Sequence, residues 1–508
     1  MPFPLSNILA LKDFAPVAQR RLPRPIHGYV AGAAEDNVSL HRNQKAMNAY
    51  GFVPRMLVDV SRRTQQQPLF GTTYASPFGI APMGLAALSG YRGDIVLAKA
   101  AHEAGIPAIL SGSSLTPLEE VVQAAPGTWF QAYLPGDEAR ILALLQRVRR
   151  AGYETLVVTV DIPVSANREN NVRNGFSTPL RPSLRLAWEG LSHPRWLLGT
   201  FAKTLWRHGM PHFENSFAER GAPIVSSNVL RDFSNRDHLD WSFVERIRAF
   251  WQGPLVIKGI LSAADARKAK TLGADGIVVS NHGGRQLDGA VAPMQVLAGI
   301  VDAVSDLPVM VDGGFHRGSD VLKALALGAR FVFIGRPFNH ALAVAGKRGV
   351  AHAIELLRAE IDRNMAMLGI THCVGLPLTD LMRVSAASKP ERWWLIENRA
   401  SFERQALQLE PGVVLIWMPG RPSIAWLEAI AHLLRLAPAS AWISADADPS
   451  GVDIACTVGA LWQAQDLSWQ PHRMGVKQLS ETSQDWPLND HDRRLLDALL
   501  GVSSFSVQ

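Results

Sequence analysis

The chain has 508 residues, 47% hydrophobic and 19% charged, a balance that excludes disorder and supports two or more folded units. Its net charge of +6 is spread without any run of five Lys/Arg, so anionic small molecules or an anionic membrane surface suit it as readily as nucleic acid. Cys373 and Cys456 are the only cysteines and have no metal-ligand or redox spacing, which excludes a disulfide framework and suits the cytosol. The opening Met-Pro-Phe-Pro-Leu-Ser-Asn lacks a charged region ahead of an apolar stretch, so no signal peptide is expected. No apolar run reaches the roughly 18 residues of a spanning helix.

Eight short apolar runs follow one another along the chain: 78–83, 107–112, 128–134, 155–162, 254–260, 276–280, 308–314 and 331–337. Between them lie helical patterns such as 94–105, 137–152, 263–273 and 319–328, each closed by a glycine as helix C-termini are. Runs without polar alternation are strands buried on both faces, which parallel strands must be. The count and spacing predict an α/β fold: a TIM (β/α)8 barrel with an extra small C-terminal α/β domain, the competing topology being an open doubly wound sheet.

A barrel gathers the C-terminal ends of its strands at one mouth, so the polar residues there form one candidate site. In chain order they are Pro82 and Gly84; Ser111; Gln131 and Tyr133; Thr159, Asp161 and then Arg168; Lys258; Ser280, His282 and Arg285; Asp312, Gly313 and Gly314; Gly335 and Arg336. The set contains a histidine able to take a proton near neutral pH, a carboxylate to orient it, and several cations. The glycine-rich ends of the last two runs suit a phosphate held on backbone amides.

These residues resemble the FMN-dependent α-hydroxy-acid oxidising family of glycolate oxidase, L-lactate dehydrogenase and mandelate dehydrogenase. The strings that carry the likeness are Ser-Asn-His-Gly-Gly-Arg-Gln-Leu-Asp at 280–288, Trp-Phe-Gln-Ala-Tyr at 129–133, Thr-Val-Asp at 159–161 and Val-Ile-Lys-Gly at 256–259. The resemblance covers about residues 7–384. It implies bound FMN and oxidation of a small (S)-2-hydroxy acid to the 2-oxo acid, by hydride transfer or through a carbanion. His282 would be the base, Asp161 its partner, and Tyr133 a neighbour of the substrate hydroxyl. Arg168, Arg285 and Tyr29 would hold the substrate carboxylate. Pro82, Met83, Gly84, Ser111, Gln131, Thr159, Lys258 and Ser280 would surround the flavin ring. Asp312 would meet the ribityl chain, and Gly314, Arg317, Gly335 and Arg336 the phosphate. The family usually has arginine where this chain has His316, which implies weakened FMN affinity. Glycine at position 84 resembles the dehydrogenases more than the oxidases and leaves room for lactate or larger acids. The runner-up is therefore an oxidase that makes hydrogen peroxide.

Residues 176–238 form a long insertion between the fourth and fifth runs. Its stretch 181–208 holds Arg181, Arg185, Arg195, Lys203 and Arg207 among Leu184, Trp188, Leu191, Trp196, Leu198, Phe201, Leu205 and Trp206. That pattern suits a helix lying in a membrane interface, or a lid packed on the barrel. The first reading places the protein in the cytoplasm, peripheral on the inner face of the cytoplasmic membrane, and offers quinone as electron acceptor. Family members often assemble as homo-oligomers.

Residues 385–392 read as a linker between the barrel domain, 1–384, and a small α/β domain, 393–508. Three apolar strands there end in Glu397-Asn398, Pro419-Gly420 and Asp446-Ala447-Asp448. They resemble a Toprim-like domain, in which Glu397, Asp446 and Asp448 would hold Mg2+ for phosphodiester chemistry. A metal-dependent activity on nucleic acid is the alternative from a different class; a nucleic-acid partner is not otherwise expected.

Overall fold

The computed structural model describes residues 4–177, 180–181, 183–226, 236–373, 381–382, 390–406, 408, 412–418, 420–422, 424–446 and 449–472. Among the positions singled out above, Pro419, Ala447, Asp448 and the linker residues 385–389 lie outside the described residues, as does the side chain of Arg185. The chain divides into two units, Met1–Leu376 and Pro377–Gln508.

Eight parallel strands form the core of the first unit: β1 (Phe78–Ile80), β2 (Ile109–Ser111), β3 (Trp129–Ala132), β4 (Leu156–Thr159), β5 (Leu255–Ile260), β6 (Gly276–Val279), β7 (Val309–Asp312) and β8 (Phe331–Ile334). The hydrogen-bonded order is β1-β8-β7-β6-β5-β4-β3-β2, and the parallel bridge Ile80–Ala108 joins the two ends into a barrel. The strands are shorter than the apolar runs, and all but β5 leave the ladder before the run's C-terminal end.

Period-two alternation sorts the strand residues into two layers. Ile109, Trp129, Val157, Val256, Val278, Met310, Phe331 and Phe333 fill the interior, while Leu156, Val158, Ile257, Ile277, Val311 and Val332 pack outward. The outer layer is covered by α1 (Gly93–Glu103), α2 (Leu118–Ala124), α3 (Glu138–Arg150), α4 (Trp241–Phe250), α5 (Ala263–Thr271), α6 (Pro293–Ala303), α7 (Gly318–Ala326) and α8 (Arg336–Leu368). The last is two helices joined across Ala345 and Gly346, where Gly346 has φ +55°.

A hairpin, Gln67–Leu69 with Thr72–Tyr74, precedes the barrel. Phe70 packs on Trp129 with ring centroids 5.5 Å apart, and Tyr74 meets Phe331 edge-on at 5.5 Å. Trp129 and Phe331 open their strands, so the hairpin plugs the N-terminal mouth and leaves the C-terminal one for chemistry.

The insertion is docked on the barrel through some of its apolar residues and leaves others exposed. Helix Leu184–Ser192, a π-helical stretch Leu197–Ala202 and helix Lys203–His208 are described in it. Trp196 donates its indole N–H to the Leu88 carbonyl at 2.7 Å and stacks on Phe201, so one side is docked on the barrel. The other side leaves Leu184, Trp188, Leu191, Leu198 and Trp206 between 64% and 92% exposed. Among the described residues no helix is long and apolar enough to cross a membrane.

The second unit is a four-stranded parallel sheet of β9 (Arg392–Ile396), β10 (Val413–Trp417), β11 (Ser440–Ser444) and β12 (Trp469–Pro471), in the order β10-β9-β11-β12. Three of these strands follow the sequence reading; β12 was not anticipated. Its core sets Trp393, Leu395 and Ile443 against Ile430 and Leu434 of the helix Ile424–Leu436 and Val458 and Trp462 of the helix Pro449–Gln463. The Asp446 amide donates to Glu397 Oε2 at 3.0 Å, so two of the three predicted acids adjoin at the C-terminal ends of the central strands β9 and β11. No group of three or more His, Cys, Asp or Glu able to hold a metal occurs among the described residues.

The inner layer carries a direct test. Phe331 is fully buried against Tyr74 and Phe333. Phe331→Ala is expected to lower stability by about 3–5 kcal/mol and Phe331→Leu by far less, read from the midpoint of chemical denaturation.

Candidate active site

The turn after β6 sets the centre of the mouth. His282, Gly283 and Gly284 have φ of +56°, +64° and +75°, three successive residues in the left-handed region. For a histidine that conformation costs on the order of 1 kcal/mol or more, and such strain gathers at functional sites. A Cβ on Gly284 would lie 2.6 Å from the Leu40 amide, so only glycine admits the helix Val38–Met47 at this point. Asn281 clamps the same helix through a reciprocal amide pair with Asn43, at 2.7 and 2.8 Å.

His282 Nδ1 bonds Asp161, 2.9 Å from Oδ1 and 3.2 Å from Oδ2. With Nδ1–H donated to the carboxylate, Nε2 is the nitrogen left to accept a proton. Burial pulls His282 below the ordinary imidazole value, against the pull of Asp161 in the other direction. Burial pushes Asp161 up, but His282 and then Lys258 outweigh it and hold the carboxyl below its usual range. The pair is therefore a neutral imidazole on an ionised carboxylate at pH 7. Tyr133 lies over His282 at 6.5 Å between centroids, and burial pushes its phenol up to about 12, which keeps it a hydrogen-bond donor.

Lys258, within β5, is 3% exposed. Its Nζ is 3.0 Å from Asp312 Oδ2 and donates to Ser280 Oγ at 2.9 Å. Ser280 Oγ also accepts the His282 amide at 3.0 Å, so the base and the ammonium are positioned through one oxygen.

Arg168 donates to the Arg285 carbonyl at 3.1 Å and to Gln286 Oε1 at 2.8 Å. Arg285 donates to the Gly32 carbonyl at 2.7 Å and lies over the Tyr29 ring at 4.9 Å. The family resemblance implies a carboxylate for Arg285 and a phosphate for Arg336. Here Arg336 donates to Val30 and Gly32 at 3.2 and 3.0 Å, so the two guanidinium groups share the Gly32 carbonyl. Burial lowers them to about 10 and about 9, helped by the repulsion among Arg168, Arg285 and Arg336; both stay charged at neutral pH. Arg317 is 3.2 Å from Glu360, and His316 Nδ1 is 2.9 Å from the Gly314 carbonyl.

One cavity of about 1540 Å³ joins these groups. Tyr29, Pro82, Met83, Gly84, Tyr133, Thr159, Arg168, Lys258, His282, Arg285, Asp312, Gly314, Arg317, Gly335 and Arg336 all line it. Ser111, Gln131, Asp161 and Ser280 stand behind that wall. The volume exceeds the roughly 300–1,000 Å³ usual for one small ligand, which leaves room for a cofactor and a substrate together. A Cβ on Gly84 would lie 3.2 Å from the Tyr29 hydroxyl, so glycine keeps that edge open.

Three residues expected at a flavin carry buried polar atoms without a hydrogen-bond partner: Gln131 Nε2, Thr159 Oγ1 and Asp312 Oδ1. Such atoms cost about 1–3 kcal/mol each unless a ligand satisfies them. A flat heterocycle with polar edges and a polyol tail matches their donor and acceptor types, so the residues present fit FMN.

Residues 18–379 match the FMN-dependent dehydrogenase family. The chain belongs to that family. It is 38% identical over 364 residues to (S)-mandelate dehydrogenase of Pseudomonas putida, covering 72% of this chain and 91% of that protein. It is 40% identical over 390 residues to L-lactate dehydrogenase of Stenotrophomonas maltophilia strain K279a, covering 75% and 100%. The crystal structure of monotopic membrane protein (S)-mandelate dehydrogenase aligns with a TM-score of 0.68 at 37% identity, covering 74% of this chain and all of that one. The protein is thus an FMN-dependent oxidoreductase on a TIM barrel.

Three features of the mouth were missed in the sequence. Asn43 comes from an N-terminal helix. Arg236, 7% exposed, lines the cavity from the end of the insertion. His340 also lines it, stacks on His27 at 5.9 Å, and is pulled by burial to about 3, while its Nε2 and the neighbouring Asn339 Oδ1 have no partner. None lies at a strand end, so no strand-end inventory finds them.

The unsatisfied Thr159 hydroxyl separates cofactor binding from folding. Thr159→Val removes an atom that nothing satisfies in the apoprotein, so apoprotein thermal stability should hold or rise. FMN affinity should fall about tenfold for the lost hydrogen bond, read by quenching of flavin fluorescence on titration.

Proposed function

We propose that the protein oxidises an (S)-2-hydroxy acid to its 2-oxo acid, with His282 as base. The observation that carries this reading is the His282–Asp161 pair opening, with Tyr133, Arg168 and Arg285, onto one cavity. Bound FMN supplies the two-electron acceptor. Ser111, Gln131, Thr159, Lys258 and Ser280 would hold its ring, with Pro82, Met83 and Gly84 beside it; Asp312 would take the ribityl chain, and Gly314, Gly335, Arg317 and Arg336 would serve the phosphate.

The substrate carboxylate is held by Arg168 and Arg285, with the Tyr29 hydroxyl beside them. Charge-assisted bonds to two guanidinium groups fix which hydrogen faces the base. His282 Nε2 accepts the proton lost by the substrate, and the ionised Asp161 stabilises the imidazolium that results. Tyr133, protonated at neutral pH, donates toward the substrate oxygen. The buried Lys258 ammonium would supply positive charge to offset the negative charge of a reduced flavin.

We assign the exposed face of Leu184, Trp188, Leu191, Leu198 and Trp206 to a membrane interface on the cytoplasmic side, with Arg195, Lys203 and Arg207 as its basic fringe. The electron acceptor is then a membrane quinone; oxygen is the competing acceptor. The crystal structure named as a monotopic membrane protein supports peripheral attachment.

His282→Ala should retain bound flavin but lose turnover by about 10²–10⁴-fold, seen as failure of L-lactate or L-mandelate to bleach the flavin anaerobically. For the wild type, kcat/KM should fall as pH drops through the His282 pKa, which lies below 6.5 because burial lowers it. Asp161→Asn removes an attraction that raises that pKa, so the acid limb should move to still lower pH while the plateau drops. An acid limb that moves upward would contradict the pairing.

The membrane assignment is tested by co-sedimentation with anionic phospholipid vesicles. Trp188→Glu and Trp206→Glu should each weaken partitioning by about tenfold, from the apolar area withdrawn, without altering turnover by an artificial acceptor.

A further inference from the structure

Arg236 reaches the mouth from outside the strand ends that build the rest of the site. It follows the insertion and precedes α4, yet it is 7% exposed and lines the same cavity as Arg168, Arg285 and His282. Its guanidinium carbon lies 5.5 Å from the centroid of Tyr133, the ring that also stacks near His282. Tyr133 is the shared neighbour of the mouth's cations. Arg168 and Lys258 act on the Tyr133 phenol, and the phenol in turn acts on Arg285 and Arg236. Two arginines are the complement of one carboxylate held in a fixed orientation. A third guanidinium, delivered by a different segment to the same wall, is in excess of what a monocarboxylic acid needs. A buried arginine gains most from a desolvated anion, through charge-assisted bonds that neither a methyl nor a phenyl group can supply.

We infer that Arg236 is a specificity-determining residue, and that the preferred substrate is a 2-hydroxy acid bearing a second carboxylate, which Arg236 binds. The inference rests on the hydroxy-acid reading above and sharpens its substrate class. The first carboxylate lies on Arg168 and Arg285, the carbinol carbon faces His282, and the side chain runs past Tyr133 to Arg236.

The test compares two acids of equal carbon count, (S)-2-hydroxyglutarate and (S)-2-hydroxypentanoate, which differ in the terminal carboxylate. The full-length holoenzyme is assayed with an artificial electron acceptor. The ratio of kcat/KM for the diacid to the monoacid should be tenfold or more in the wild type. It should collapse toward one in Arg236→Gln and be partly retained in Arg236→Lys, most of the change appearing in KM. A wild-type ratio near or below one overturns the inference, and so does a ratio unchanged in both variants. The wild-type comparison decides alone if a variant does not fold, and flavin absorbance reports folding. Reduction of the flavin by L-lactate or L-mandelate without preference for the diacid removes the Arg236 assignment alone. Failure of every 2-hydroxy acid to reduce it removes the hydroxy-acid reading as well.

Discussion

The Lys258 ammonium is taken almost wholly out of water, and the mouth of the barrel is arranged around that fact. A buried charge persists only with a compensating charge and filled hydrogen-bond positions. Asp312 supplies the charge from β7, at 3.0 Å, and Ser280 supplies an oxygen from the end of β6, at 2.9 Å. The Ser280 oxygen then receives the His282 amide, which helps fix the left-handed turn that delivers the imidazole to Asp161. Three adjacent strands are tied across their ends by one ammonium. The same charge helps hold Asp161 ionised, and so links cofactor pocket and base electrostatically.

Elsewhere in the mouth, among the described residues, Arg285 and Arg336 have backbone carbonyls rather than carboxylates as partners. Arg285 and Arg336 crowd onto the Gly32 carbonyl, lowered by burial and by mutual repulsion yet still charged. Repulsion of this kind is offset when anions arrive, and an FMN phosphate and a substrate carboxylate are such anions. The unsatisfied atoms of Gln131, Thr159 and Asp312 express the same condition in hydrogen bonds. A bound cofactor and substrate would satisfy these atoms and charges together, so the preorganisation of the site is located in them.

The barrel was legible because its physics is local. Each strand is buried on both faces, so it appears as an unbroken apolar run, and each run ends where the chain meets the mouth. Reading the ends recovers His282, Asp161, Tyr133, Lys258 and Asp312, because backbone direction alone places them together. Asn43, His340 and Arg236 escape that reading. They reach the mouth through tertiary packing of elements whose local sequence carries no sign of the destination. The Arg336 geometry escapes as well, since motif position fixes the backbone but not where a long side chain bonds. In the second unit β12 was lost because Trp469–Pro471 spans only three residues, two of them exposed, too short to show alternation.

The segment between β4 and α4 joins the two least expected features. It leaves the mouth at Asp161, returns at Arg236, and between them exposes Trp188 and Trp206 to solvent. A connection of this length is thermodynamically tolerable because loop-closure entropy rises only logarithmically, about 0.6 kcal/mol for each doubling. What anchors it is packing. Phe176, Phe213 and Ile224 bury against Leu85 and Leu115, and Trp196 bonds Leu88. Phe176 and Phe213 also line the cavity. One stretch of chain therefore presents an apolar surface outward and walls the substrate cavity inward. The proposed specificity residue and the proposed membrane face therefore belong to the same insertion, apart from the Lys258 network behind it.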